Sequence, residues 1–124
     1  MRLLPYLILF IFLTSCYQVE RNCSDFKTGS FKFEAVSGTE IFTTRIERND
    51  SIEIEYYQES IDTAEIRWIN DCEYILRKLN PKSRAEKKSI HIKILTTKEN
   101  SYIFEFNEVG KPNKSRATAS KVIN

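Results

Sequence analysis

Ser89-Ile90-His91-Ile92-Lys93-Ile94, followed by Ser101-Tyr102-Ile103-Phe104-Glu105-Phe106, decides the fold. In the first run every second residue is isoleucine and the residues between are polar. The second aims Tyr102, Phe104 and Phe106 to one side. Side chains on a strand alternate between faces, so this period-two pattern describes a sheet with one apolar face. A helix needs apolar positions every three to four residues, and neither run has them. Lys98-Glu99-Asn100 reads as the turn between two antiparallel strands.

The same pattern continues in both directions. Ser51-Ile52-Glu53-Ile54-Glu55-Tyr56 places Ile52, Ile54 and Tyr56 inward and Glu53 and Glu55 on the wet face. Ala64-Glu65-Ile66-Arg67-Trp68 aligns Ala64, Ile66 and Trp68. Weaker strands run from Thr28 to Glu34 (Phe31 and Phe33 inward), from Glu40 to Arg48 (Phe42, Thr44 and Ile46) and from Cys72 to Leu79 (Cys72, Tyr74 and Leu76). A final one spans Arg116 to Ile123. Asn49-Asp50 suits a two-residue hairpin, and Asn70-Asp71 and Gly110-Lys111-Pro112-Asn113 suit turns. Asn80 to Lys88 is the longest connection, polar and exposed. About eight strands with short loops and one wet face predict an all-β fold. It is an antiparallel meander closed as a small lipocalin-like barrel or rolled into a strongly curved sheet.

The first residues are of another kind. Arg2 precedes the apolar run Leu3 to Leu13, and Leu13-Thr14-Ser15-Cys16 follows. Eleven helical residues span roughly 16 Å, against roughly 30 Å of bilayer hydrocarbon, so a cleaved signal fits better than a membrane span. The four residues ending at Cys16 resemble the lipobox of bacterial lipoproteins. That resemblance implies lipid transfer to the Cys16 sulfur and cleavage before it. The chain then divides into a signal peptide (1–15, the signal helix), the lipidated Cys16 with a short polar tether (16–25), and a β-domain (26–124). The membrane is the implied partner through the lipid. The implied location is the bacterial cell envelope, lipid-anchored at the outer membrane and facing the periplasm.

The whole chain carries 19 basic and 17 acidic side chains. Loss of Arg2 leaves a nearly neutral, interspersed surface, which excludes the basic stripe that nucleic acid requires. Three glycines in 124 residues exclude a glycine-rich phosphate loop. With Cys16 assigned to lipid, Cys23 and Cys72 remain, and an even pair in an exported domain reads as a disulfide. Zinc would need further Cys or His ligands at the proper spacing, so neither metal nor cofactor is expected.

Individual candidates for chemistry are few. His91 is the only histidine and alternates away from the isoleucines, beside Lys93, without a nucleophile as partner. Glu53 and Glu55 have the spacing of paired acids, but that is also how a solvated strand face reads. Lys82, Arg84, Lys87 and Lys88, interrupted by Glu86, form a basic loop that suits solvent or anionic headgroups. Trp68 and Tyr74 flank the turn that holds Cys72, which describes a disulfide packed by an indole at a barrel end or an aromatic pocket mouth. Phe31, Phe33, Phe42, Tyr56, Trp68, Tyr74, Tyr102, Phe104 and Phe106 are expected as core or as the lining of a ligand site.

Four segments carry a wider resemblance. Cys23-Ser24-Asp25-Phe26-Lys27-Thr28-Gly29-Ser30-Phe31-Lys32-Phe33 is one, and Thr43-Thr44-Arg45 with Arg48-Asn49-Asp50-Ser51 is another. Ile66-Arg67-Trp68-Ile69-Asn70-Asp71-Cys72-Glu73-Tyr74 and Leu79-Asn80-Pro81-Lys82 complete the set. Together they resemble a family of small uncharacterised lipoproteins from Bacteroidetes. Related sequences sometimes carry the label DNA topoisomerase IV, which an exported chain of this size without an ATP loop contradicts. The expected function is that of a non-catalytic envelope lipoprotein whose β-domain binds a small apolar ligand or a partner protein. An envelope hydrolase using rim carboxylates and a structural accessory of a membrane complex are the alternatives. A cavity of about 300 Å³ or more favours a ligand, a filled interior favours docking, and converging buried acids favour the hydrolase.

Overall fold

The computed structural model describes residues 21–123. The signal segment 1–15 and Cys16 lie outside the described residues, as does the tether up to residue 20. Among the described residues no helix is long and apolar enough to cross a membrane.

Eight strands follow one another in chain order: β1 (Gly29–Ser37), β2 (Glu40–Arg48), β3 (Ile52–Tyr57), β4 (Ser60–Asn70), β5 (Glu73–Lys78), β6 (Ile90–Thr97), β7 (Ser101–Glu108) and β8 (Ser115–Lys121). Each pairs antiparallel with the next, and β8 returns to β1 through Phe31↔Lys121, Lys32↔Ser120 and Phe33↔Ala119. The sheet is a closed barrel, the first of the two expected architectures. Closure leaves no unpaired edge strand.

Size complementarity explains how eight strands close tightly on one side. Small Ala119 and Ala117 of β8 lie opposite Tyr102 and Phe104 of β7. The space they leave is taken by Phe33, whose ring stands edge-on to Phe104 at 5.9 Å. Bulges between Trp68 and Asn70 and between Ile94 and Thr96 bend the long strands β4 and β6.

One end of the barrel is plugged. A 3-10 helix, Cys23–Phe26, lies across it, with Cys23 and Phe26 buried. The Phe26 ring packs 5.1 Å from Tyr102, and Cys23 is bonded to Cys72 with Cα atoms 5.2 Å apart. Asn22 N donates to Thr97 Oγ1 at 2.8 Å, and an Arg21 guanidinium nitrogen donates to the Ile94 carbonyl at 3.2 Å. The segment expected as tether is therefore docked from Arg21 onward, because a bonded Cys23 and an apolar Phe26 carry it into the core.

One strand corrects the sequence reading. β3 has its faces exchanged: Glu53 and Glu55 point into the barrel, and Ile52, Ile54 and Tyr56 point out. The register requires it, because Arg48 pairs with Glu53 and Ile46 with Glu55. Cross-strand partners share a face, and Ile46 and Arg48 are buried. The connection is also longer than the two residues expected. Asn49, Asp50 and Ser51 form it, with Asn49 Oδ1 accepting from the amides of Ser51 and Ile52 at 2.9 and 2.8 Å. A second turn, Gln58-Glu59, was not expected. Gln58 takes φ 52° there, in the left-handed region that a tight hairpin demands.

Candidate functional site

The plugged end and the wall of the barrel enclose a lumen of about 190 Å³. Its aromatic side is Phe33, Tyr74, Tyr102, Phe104 and Phe106, and its aliphatic side is Ile46, Leu76, Ile90 and Ile92. Three charged residues, Arg48, Glu53 and Glu55, complete the lining. A second hollow of about 230 Å³ adjoins it at the opposite end from the plug. Glu53, Glu55, Leu76 and Ile90 belong to both, and Asp62, Lys78, Glu86 and Lys88 surround the outer one. These four shared residues stand at the boundary, or throat, between an apolar chamber and a charged mouth.

Arg48 is the electrostatic centre of the interior. It closes β2 on the inner face, with 1% of its side chain exposed. Nε donates to Glu53 Oε1 at 2.9 Å, one terminal nitrogen to the Phe26 carbonyl at 2.7 Å, and the other to Tyr102 Oη at 3.0 Å. The rings of Phe31 and Tyr74 lie 4.9 and 5.0 Å from its guanidinium carbon. Burial works against its charge, but Tyr74, Tyr102 and Glu53 outweigh burial and keep the guanidinium protonated. A buried charge needs such partners to be tolerated. Burial in turn pushes the hydroxyls of Tyr74 and Tyr102 above the usual tyrosine range, so both remain neutral phenols, and that of Tyr102 accepts from Arg48.

Glu55 is in a different position. It sits at the throat, cross-strand from Asp62, and no side-chain hydrogen bond to a described residue holds its carboxylate. Burial first, then the neighbouring charges of Glu53 and Asp62, raise its pKa above the ordinary carboxylate value. Lys78 offsets this in part. Lys78 itself is shared between Glu86 at 2.9 Å and Asp62 at 3.5 Å.

The structure sorts the aromatic candidates. Phe33, Tyr74, Tyr102, Phe104 and Phe106 line the lumen as expected. Phe31 is fully buried beside the plug, where its ring meets Tyr102 at 5.7 Å. Phe42 is half-buried near the open end, 6.2 Å from Tyr57. Tyr56 is on the outer face: its ring lies under Arg45 at 5.6 Å and its hydroxyl donates to Glu47 at 3.3 Å. Trp68 packs 4.6 Å from Tyr74, with Lys27 Nζ 4.9 Å from its ring. It belongs to the plugged end beside Cys72, not to a pocket mouth, and its buried indole N–H has no partner among the described residues.

His91 is on the outer face beside Lys93, with Nε2 4.0 Å from Glu73. Lys82, Arg84 and Lys87 are exposed, while Glu86 and Lys88 border the mouth. Among the described residues no group of His, Cys, Asp and Glu is arranged to hold a metal ion.

Sequence reasoning missed Arg48 and took Glu53 and Glu55 for a solvated face. The missing signal was parity. Two residues or four between hairpin partners are both even numbers, so even-numbered inward positions of β2 must meet odd-numbered positions of β3. Applied to Thr44, Ile46 and Arg48, that rule selects Glu53 and Glu55. The chain matches no protein-family model, no curated protein and no solved structure.

Proposed function

We propose that this is a non-catalytic envelope lipoprotein whose barrel binds a small, mainly apolar ligand in its lumen. The observation that carries the reading is the apolar chamber of about 190 Å³, four of whose lining residues also line the charged mouth. The chamber is smaller than pockets for drug-sized ligands, which run from about 300 Å³. It suits a single ring or short chain, since an apolar cavity of about 150 Å³ holds benzene. Eight-stranded barrels have interiors of this order, filled by side chains or by one small ligand.

A hydrolase reading finds less support. Of the two carboxylates in the lumen wall, Glu53 is tied to Arg48, which leaves Glu55 without a second acid free to exchange a proton. Partner docking draws on a separate observation. Ile41, Ile61, Leu79 and Val109 are exposed beside strand ends at the open end. Such a rim suits a protein that delivers or collects the ligand.

Two experiments test the proposal. Native mass spectrometry of the lipidated protein, extracted in mild detergent, should show a bound small molecule. Leu76→Trp, which fills the throat, should lose it while keeping the barrel's circular dichroism. A mass equal to the bare lipidated chain in both proteins would contradict the reading. For the anchor, Cys16→Ser should lose the incorporation of radioactive fatty acid and leave the barrel folded; label retained on the variant would refute lipidation at Cys16.

A further inference from the structure

The charges around the throat do not balance. Glu53 is neutralised by Arg48, whose hydrogen bonds leave it no role toward a ligand. Lys88 is drawn away to Glu108 at 3.3 Å. What remains is Glu55, Asp62 and Glu86 sharing the single ammonium of Lys78. Asp62 and Glu86 take both of its contacts, so among the described residues Glu55 has no ion-pair partner of its own where the apolar chamber meets the mouth, and Lys78 offsets its charge only in part. An anionic ligand, such as a carboxylic acid, would enter against this excess of negative charge and find Arg48 already occupied.

We infer that the ligand is a small apolar amine, with its hydrocarbon body in the chamber and its ammonium against the Glu55 carboxylate at the throat. This deepens the binding reading and rests on it. The ammonium supplies the charge and the hydrogen-bond donors that Glu55 lacks, and it remains close to the solvated mouth, where little desolvation is needed. The chamber limits the body to about the size of one aromatic ring. Uptake of the amine also reverses the effect of Glu55 on the barrel. In the empty barrel burial disfavours the Glu55 charge; with the amine bound, the ammonium favours it. Affinity therefore falls as pH drops through the Glu55 titration, while Glu86, held below the usual carboxylate range by its hydrogen bonds from Lys78 and the Lys82 amide, keeps its charge longer. Arg48 and Lys78, both with raised pKa values, stay charged throughout.

Calorimetric titration of the mature protein at pH 7.5 with benzylamine, benzyl alcohol and benzoate, three probes of one size, tests this. Benzylamine should bind at least tenfold more tightly than benzyl alcohol, with benzoate weakest. Glu55→Gln should bring benzylamine down to the affinity of benzyl alcohol. If benzyl alcohol or benzoate binds as well as benzylamine, or if Glu55→Gln leaves benzylamine unchanged, the amine inference fails and the binding reading stands. If none of the three binds, or if all bind Leu76→Trp equally well, the binding reading fails and the inference falls with it.

Discussion

Arg48, Glu53 and Glu55 carry the chemistry of the interior, and each invites its own test. Removing one partner of a buried ion pair leaves the other charge uncompensated, which typically costs about 3–5 kcal/mol, whereas replacing both by apolar groups is often nearly neutral. Arg48→Met should therefore unfold at much lower urea than the wild type, and Arg48→Met/Glu53→Leu should recover part of the loss. A double variant no better than the single would assign the role of Arg48 to Phe26 and Tyr102 instead. For Glu55 the sign follows from its raised pKa. The folded protein holds this proton more tightly than the unfolded chain does. The resulting stabilisation is present below the ordinary value of 4.5 and is lost as pH rises through the folded-state value. Glu55→Gln should thus melt higher than the wild type at pH 7.5, with the difference closing toward pH 4; a variant melting lower at pH 7.5 would contradict this. None of these roles was legible from composition, because Ile-Glu-Ile-Glu has the same alternation whichever face is wet. Only the parity of the preceding turn breaks the tie.

At the scale of elements, much more was legible. β2 was read with its observed bounds, and β6 and β7 with their isoleucines and aromatics inward, because period-two alternation depends on burial alone. β4 was read too short: its first four residues, Ser60 to Thr63, have no apolar alternation and are strand only because they pair with β3. Cys23 to Asp25 of the 3-10 helix was read as tether, and Phe26 as the start of the β-domain, because Cys23 is embedded among polar Asn22, Ser24 and Asp25. The disulfide that fixes this helix spans a separation of 49 residues, for which loop-closure entropy gives about 4 kcal/mol. Cys72→Ala should cost about 2–5 kcal/mol in chemical denaturation. Reductant should lower the melting temperature of the wild type and hardly change that of the variant. Equal sensitivity of both proteins to reductant would show that the bond does not stabilise the plugged end.

For the whole molecule, the plug and the mouth define opposite ends, and the chain enters at the plug. Asn22 is tied to β6 there, so a lipid on Cys16 would lie at most about 20 Å of extended chain away. The barrel would then stand with its plugged end toward the bilayer and its mouth toward the periplasm, open to ligand or to a protein carrying it. Everything in that picture depends on the lumen being an accessible apolar space. Methyl NMR under xenon pressure tests this directly, because xenon enters apolar cavities of this size without needing a polar contact. Saturating shifts should appear at the methyls of Leu76, Ile90 and Ile92 in the wild type, and those of Ile90 and Ile92 should vanish in a folded Leu76→Trp variant. Shifts confined to exposed Ile41 and Ile61, or unchanged by the block, would mean that the barrel is filled and the ligand-binding account is wrong.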